Sequence, residues 1–213
     1  MALTRGVLLS FLGLCLCSVS ALASDEKSPQ WGLELKVGQL QPALDQWDTY
    51  YANDPVVLGV AAAYKLTRMF SVGLAVNSST SNGQGDLPLN QTIGGDVAFS
   101  LRPVNLSLNL RLIRNEHQHW VPYLGAGLSR VYYRQEVPRQ ANVEGSVDGY
   151  HYKFGLQYLL DDWDRRSADN AKRKMGLDNT YVFVEFMSMS AEQGQGSLDL
   201  GGQLISLGVL LEM

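Results

Sequence analysis

The clearest pattern in the sequence is that of Val104 to Ile113, VNLSLNLRLI, in which apolar and polar side chains alternate. Its apolar positions are Leu106, Leu108, Leu110 and Leu112, and the positions between them are Asn105, Ser107, Asn109 and Arg111. A period of two residues belongs to a β-strand, because successive side chains of a strand point to opposite faces. The stretch therefore predicts a strand with one apolar face and one polar face.

The same alternation recurs along the chain, in stretches separated by turns or polar loops. These stretches are Trp31 to Leu40, Val56 to Leu66, Phe70 to Ser78, Trp120 to Arg134, Val147 to Leu160, Thr180 to Ser190 and Leu204 to Met213. Most connections alternate between short turns and long polar loops, which is typical of an outer-membrane β-barrel. The exception is Asp161 to Asn179, where a short helix ending at Gly176 is predicted to lie beneath the barrel.

The number of strands depends on how Ile93 to Ile113 is interpreted. Its apolar positions are odd-numbered up to Leu101 and even-numbered from Val104, and Pro103 lies at the change. A hairpin at this point would give nine strands, whereas a bulge inside one long strand would give eight. Because bacterial single-chain barrels have even strand numbers, we predict the bulge and eight antiparallel strands.

The first 23 residues have the three parts of an export signal. Arg5 supplies the positive start, residues 6–18 (GVLLSFLGLCLCS) are apolar but too short to span a bilayer, and Ala21-Leu22-Ala23 fits a signal-peptidase site. Two domain ranges follow, a signal peptide over 1–23 and a barrel over 24–213. Both cysteines of the chain, Cys15 and Cys17, would be removed with the signal.

The composition of residues 24–213 excludes several classes of function. Removal of Arg5 leaves 16 basic and 21 acidic residues, so the net charge becomes 16 − 21 = −5. An acidic chain without a basic stripe argues against binding to nucleic acid. A chain without cysteine has no thiolate nucleophile and no thiolate metal site.

Alternation does not say which face is inside, because a soluble lipocalin-like barrel has the same period with its apolar face turned inward. The polar face here is mostly Gly, Ala, Ser and Asn with single charges, which suits a crowded interior better than a solvated surface. Aromatic residues also fall near both ends of the strands, and two girdles of this kind mark the two interfaces of a membrane. The periplasmic girdle is predicted to hold Trp31, Tyr64, Phe70, Trp120, Tyr123, Tyr158, Trp163 and Tyr181, and the outer one Tyr50, Tyr51, Tyr132, Tyr133, Tyr150 and Tyr152.

One motif resembles a known family. Pro122-Tyr123-Leu124-Gly125-Ala126-Gly127, preceded by the alternating strand and a short turn, is similar to the PYxGAG segment of small outer-membrane β-barrel proteins, including the outer membrane protein W group and OmpA-type eight-stranded barrel domains. The alternating segment Ile205 to Met213 also resembles the terminal strand that the barrel-assembly machinery recognises, with Met213 where the family usually has Phe. The resemblance implies assembly by that machinery into the outer membrane of a Gram-negative bacterium, in contact with lipid and lipopolysaccharide.

The polar face carries charges that would point into the barrel. They are Glu34, Lys36, Lys65, Asp96, Arg111, His151, Lys153, Glu185 and Glu212. A charge in a narrow interior must be paired or hydrated, because an unpaired buried charge costs several kcal/mol. Two interpretations stay open: a salt-bridged plug that holds the barrel rigid, and a gate or narrow polar path.

Other candidate sites are less specific. His151 beside Glu185 would need a serine within reach to act as a catalytic base, and no motif marks one, so no enzyme activity is predicted. His117 and His119 with Glu116 offer three ligands on a turn without a second converging set, so neither a metal nor a cofactor is predicted. The loop residues Trp47, Tyr50 and Tyr51 are predicted to contact a ligand at the mouth or to anchor the loop among lipopolysaccharide.

Two functions therefore remain. The first is a non-enzymatic barrel that passes or binds small apolar solutes through its mouth and wall. The alternative is a structural or surface-interaction barrel with a plugged lumen, acting in envelope integrity or adhesion.

Overall fold

The computed structural model describes residues 30–43, 54–84, 96–115, 118–136, 142–161, 163, 170, 172–192 and 199–213. Eight strands form one closed barrel in which each strand is antiparallel to its neighbours along the chain. Closure is made by β8, which pairs with β1 from Gly32↔Glu212 to Pro42↔Gly202. The strands are β1 (Trp31–Pro42), β2 (Val56–Lys65), β3 (Phe70–Gln84), β4 (Asp96–Arg111), β5 (Trp120–Glu136), β6 (Val143–Leu159), β7 (Asn179–Ser190) and β8 (Gly202–Glu212).

The apolar face of the strands points outward and the polar face points into the barrel. Leu108 is 52% exposed, whereas the neighbouring Asn109 is buried inside. Leu35, Val60 and Leu207 show the same outward exposure on other strands. The predicted orientation of the faces is therefore confirmed, and the exposed apolar band is the surface that a membrane barrel presents to lipid.

Aromatic residues mark the end of the barrel that carries the short turns, which is the periplasmic end of an outer-membrane barrel. Trp31 packs edge-on against Tyr64 with 5.0 Å between ring centroids, and Trp120 packs on Tyr158 with 4.6 Å. Three predicted girdle members are wrong, because Tyr123 and Tyr181 are buried inside the barrel and Tyr133 packs against buried apolar residues there. Their odd-numbered positions on β5 and β7 place them on the inward face.

The predicted bulge at Pro103 is also wrong, although the strand count of eight is correct. β4 keeps one register with β5 from Ala98↔Glu136 to Arg111↔Tyr123, and Pro103 pairs with Val131 on the inward side. Phe99 and Leu101 consequently point into the barrel together with Asn109. The odd-numbered residues of β4 therefore point inward along the whole strand. The apolar positions shift at Pro103 because the inward residues are apolar before it and polar after it.

Side chains close the short turns. The Thr67 hydroxyl accepts hydrogen bonds from the backbone N–H of Met69 and Phe70. Gln118 accepts from the Arg114 N–H and donates to the carbonyls of Leu112 and Trp120, which ties both ends of the β4–β5 connection together.

The β6–β7 connection contains helical residues at 170 and 172–175. Gly176 follows them with a φ of 70° and donates to the Lys172 carbonyl at 3.1 Å, which is a glycine-terminated helix end. The stop predicted at Gly176 is therefore confirmed. Among the described residues, no helix combines the length and hydropathy needed to cross a bilayer.

The barrel is taller on one side. Strands β3 to β6 have 15, 16, 17 and 17 residues, whereas β1, β2, β7 and β8 have 12, 10, 12 and 11. The extra length of β3 to β6 lies at the outer end, so these strands rise above the apolar band as a curved wall.

The orientation of β4 predicts a depth-dependent cost for a charge on its outward face. Leu108→Arg should destabilise the folded barrel by about 2 to 4 kcal/mol, because arginine would lie near the middle of the hydrocarbon. Ser100→Arg is the matched control, since it lies on the same strand and face but beyond the apolar band. Denaturant unfolding in lipid vesicles measures both, and equal costs would contradict the placement of Leu108 in hydrocarbon.

Candidate functional site

The outer half of the lumen contains a cluster of buried apolar side chains, to which every strand except β3 contributes. Val131 and Ala191 are fully buried there, and Tyr133 packs against the cluster. The members of this outer apolar cluster are Leu40, Val57, Phe99, Leu101, Val131, Val147, Met187, Met189, Ala191, Leu200 and Leu204. Sequence reasoning missed this cluster, because every residue that it named for the interior was titratable and because the predicted bulge put Phe99 and Leu101 on the same face as Leu106 to Leu112.

Below the outer apolar cluster, one carboxylate gathers three donors. Glu185 on β7 is fully buried, and its Oε1 lies 2.8 Å from Lys36 Nζ on β1. Its Oε2 lies 3.1 Å from Lys153 Nζ on β6 and accepts a hydrogen bond from the Tyr123 hydroxyl on β5 at 2.9 Å. Strands that are not neighbours are thereby joined across the lumen through a single acid.

A second carboxylate does the same at the periplasmic end. Glu212 Oε1 on β8 lies 2.5 Å from both Arg111 Nη1 on β4 and Lys65 Nζ on β2. Its Oε2 accepts from Asn179 Nδ2 at 2.9 Å, and the Arg111 guanidinium carbon lies 5.0 Å from the centre of the Tyr181 ring. The two carboxylates on β7 and β8 therefore form ion pairs with β1, β2, β4 and β6, and the Tyr123 hydrogen bond adds β5.

His151 is fully buried between two serines. Its Nε2 lies 2.9 Å from Ser107 Oγ on β4, and its Nδ1 lies 2.8 Å from Ser129 Oγ on β5. In the neutral ring, one hydroxyl donates to the bare nitrogen and the other accepts from the N–H. The alternation of the sequence predicts that both serines face inward. It does not predict the register between strands that brings them to the histidine.

The Pro122 to Gly127 motif shapes the lumen around these groups. Gly125 lies opposite Lys153, and Gly127 lies opposite His151, in the β5–β6 register. A Cβ at Gly125 would come within 2.9 Å of two Lys153 side-chain carbons, and one at Gly127 would overlap the Leu106 carbonyl. The two glycines therefore leave the space that the large polar side chains of β6 occupy.

The remaining predicted site residues do not join these groups. Glu34 is half-buried and lines a small cavity that Lys65 and Lys153 also line, but it forms no ion pair with another described residue. Asp96 begins β4, and its side chain lies outside the described part of the molecule. The mouth residues Trp47, Tyr50 and Tyr51, together with Glu116 and His117, also lie outside the described residues.

The arrangement leaves little free space. Glu185 with Lys36, Lys153 and Tyr123 forms the Glu185 group, and Glu212 with Lys65, Arg111 and Asn179 forms the Glu212 group. The cavity between these two carboxylate groups has a volume of about 20 Å³, which accommodates about one water molecule. Among the described residues, no group of three or more His, Cys, Asp or Glu side chains is placed to hold a metal ion. The described lumen is a packed interior in which the charges of the Glu185 and Glu212 groups are paired, while buried amide atoms of Asn77, Asn105 and Asn109 have no hydrogen-bond partner among the described residues.

A closed eight-stranded antiparallel barrel with an apolar outer band, aromatic residues at the periplasmic end and a polar interior is an outer-membrane β-barrel protein. The chain belongs to the outer membrane protein beta-barrel domain family, which matches residues 9–210. It is therefore a protein of the outer membrane of Gram-negative bacteria.

Solved structures with the same fold share little sequence with the chain. Neisserial surface protein A is 12% identical, with a TM-score of 0.58 over 88% of this chain and 100% of its own. OprG from Pseudomonas aeruginosa is 13% identical, with a TM-score of 0.55 over 87% and 97%. The attachment invasion locus protein Ail of Yersinia pestis is 11% identical, with a TM-score of 0.50 over 87% and 99%. No curated protein sequence matches the chain.

The Glu185 group predicts a large loss of stability when one of its members is removed. Lys153→Met should destabilise the barrel by about 3 to 5 kcal/mol, because it leaves Glu185 with one cation fewer at a buried site. Glu185→Gln should cost more, since it strands two ammonium groups. Denaturant unfolding in vesicles measures both, with Asp148→Asn at an exposed ion pair as the control that should change little.

The motif glycines predict a steric test. Gly127→Ala should destabilise the barrel, because the added methyl group meets a backbone carbonyl that has no room to move. Ala126→Val adds larger bulk on the adjacent lipid-facing position and should be tolerated. The yield of folded barrel, read from the different gel mobilities of unboiled and boiled samples, compares the two variants; equal yields would argue against the packing role of Gly127.

Proposed function

We propose that the protein is a non-conducting barrel with a structural or surface-interaction role in the outer membrane. The observation that carries the proposal is the outer apolar cluster, which lies in the lumen above the two carboxylate groups. Water and ions need a continuous polar path, and buried apolar side chains in the lumen oppose their passage. The barrel then presents its outer surface, and not its lumen, to other molecules.

The buried ion groups support a rigid barrel. Glu185 and Glu212 each bind partners from strands on opposite sides, so deforming the barrel would separate charges at low dielectric. A gate would need these pairs to break while water enters past the outer apolar cluster. Burial of both His151 and Ser107 argues against enzyme activity at this pair, because a substrate would have to reach the serine hydroxyl.

Binding of an apolar solute at the mouth is the second candidate, and the composition of the outer apolar cluster favours it. Met187 and Met189 are unbranched and polarisable, so they adapt to a guest more readily than branched side chains do. A small apolar molecule would enter by displacing these side chains, without reaching the charged groups below. The predicted mouth residues Trp47, Tyr50 and Tyr51 belong to this candidate.

The terminal strand keeps its proposed role in assembly. Ile205 and Leu207 of β8 are exposed on the lipid side, while β8 closes the barrel against β1. An apolar outward face on the closing strand is the feature that supports recognition of Ile205 to Met213 by the barrel-assembly machinery.

Planar bilayers test the proposed function. The wild-type protein should give no discrete conductance steps, because the outer apolar cluster seals the lumen. Combined truncation of Phe99, Leu101 and Val131 to alanine removes the core of the cluster and should produce steps if the variant folds, as its gel mobility shift will show. Discrete steps from the folded wild type would overturn the proposal and favour passage of solutes.

A further inference from the structure

The last strand closes the barrel against the first, and the outward side of this seam between β1 and β8 leaves its register open. Leu35 pairs with Val209 and Val37 pairs with Leu207, so the outward pairs are aliphatic and interchangeable. A slide of one residue would exchange the two faces of β8, which the apolar pattern excludes. A slide of two residues keeps each face and most of the backbone ladder, so the lipid face alone does not exclude it.

Inside the lumen, two ion pairs cross this seam. Lys36 Nζ on β1 lies 2.8 Å from Glu185 Oε1 on β7, and Lys65 Nζ on β2 lies 2.5 Å from Glu212 Oε1 on β8. Each pair has its cation on the first two strands and its carboxylate on the last two, and β7 and β8 are paired along their length and would slide together. A slide of two residues displaces a strand by about 7 Å, so it would separate both pairs at buried positions.

Glycines lie opposite the charged residues of the seam. Lys36 lies opposite Gly208, and Glu212 lies opposite Gly32. Because the opposing strand has no side chain at these positions, each charged side chain has room to extend into the lumen toward its partner. A Cβ on Gly208 would overlap the Leu35 carbonyl, which shows how close the two strands are there. A slide of two residues in either direction would put a residue with a side chain, instead of glycine, opposite Lys36.

Glu34 on β1 adds a penalty to one of the two slides. It lies opposite Leu210 in the observed register. Sliding β8 two residues in one direction would bring Glu212 directly opposite Glu34, and like charges directly opposite destabilise a strand pair. The other slide would carry Glu212 past Gly32 to the level of Gln30, before the first residue of β1 and away from its partner on β2.

We infer that the two seam-crossing ion pairs, Lys36–Glu185 and Lys65–Glu212, set the register in which β8 closes against β1. The backbone supplies the hydrogen bonds of closure, and the apolar pattern decides which face of β8 meets lipid. The charges then select one register among those that remain. The inference goes beyond the proposed function, because it concerns how the barrel closes and holds whether or not the lumen conducts.

Disulfide bonds between outward cysteines read the register in membranes of Gram-negative cells. Both native cysteines are changed to serine in the full chain, so that introduced cysteines are the only thiols. Leu35→Cys with Val209→Cys reports the observed register, because directly paired Cα atoms lie about 5.5 Å apart. A cysteine two residues further along β8 has its Cα about 9 Å away, beyond the reach of a disulfide. Leu35→Cys with Leu207→Cys or with Leu211→Cys therefore reports the two shifted registers.

Lys36→Gln and Lys153→Gln are matched variants, because each removes one ammonium group from Glu185 but only Lys36 lies across the seam. The observed-register disulfide should exceed either shifted one at least about tenfold in the wild type and in Lys153→Gln. That ratio should fall at least about threefold in Lys36→Gln and in Glu212→Gln, since each breaks a seam-crossing pair. Equal ratios in Lys36→Gln and Lys153→Gln would overturn the inference, because a role in stability alone affects both alike.

Relocating one charge tests the same inference through the gain of a new register. Leu210→Glu with Glu212→Leu moves the carboxylate two residues along the inward face of β8. The strand should slide to restore the acid opposite Gly32, so the disulfide between positions 35 and 207 should become the major product. Persistence of the disulfide between positions 35 and 209 as the major product would overturn the inference. Should the relocated variant fail to fold, as its gel mobility will show, the comparison of Lys36→Gln with Lys153→Gln decides.

Discussion

The structure depends on the requirement that no backbone polar group be left unpaired in hydrocarbon. Strands meet this requirement only when the sheet closes on itself, and β8 meets β1 along almost the whole length of both. Closure at eight strands then fixes the interior at a width that side chains can fill. Every inward residue must therefore pack against, or bind to, another inward residue, and the nature of those residues decides whether the barrel is a channel or a solid body.

The inward residues are arranged in layers along the barrel axis. The outer apolar cluster lies uppermost, the Glu185 group and the His151 pair of hydroxyl contacts lie in the middle, and the Glu212 group lies at the periplasmic end. Each layer joins strands that are not neighbours in the sheet, whereas the backbone ladder joins only neighbours. Apolar surroundings strengthen ion pairs because they lower the local dielectric constant, so the apolar layer stabilises the charged groups below it. The role that we propose then falls to the outer surface of the barrel.

The family motif acquires a physical meaning in this arrangement. Tyr123 supplies a hydroxyl to Glu185, and Gly125 and Gly127 leave room for Lys153 and His151 of the adjacent strand. The inward residues of the motif therefore shape the polar layer in the middle of the lumen. Only the residues between them face lipid. The height of β3 to β6 serves another purpose, because it lifts an outward charged surface above the membrane without opening the lumen.

The barrel, the outward direction of Leu106 to Leu112 and the glycine that ends the helical turn at Gly176 could be predicted from the sequence alone. Each of these follows from local periodicity or from the backbone preference of one residue. The count of eight strands also needed the rule that bacterial barrels have even strand numbers, because periodicity alone left nine open. The tertiary structure was needed to show that Phe99 and Leu101 face inward, that Tyr123, Tyr133 and Tyr181 lie inside and not in a girdle, and that His151 meets Ser107 and Ser129. These facts depend on the register between strands, and register is fixed by closure of the whole barrel, because a shift of one residue exchanges the two faces of a strand.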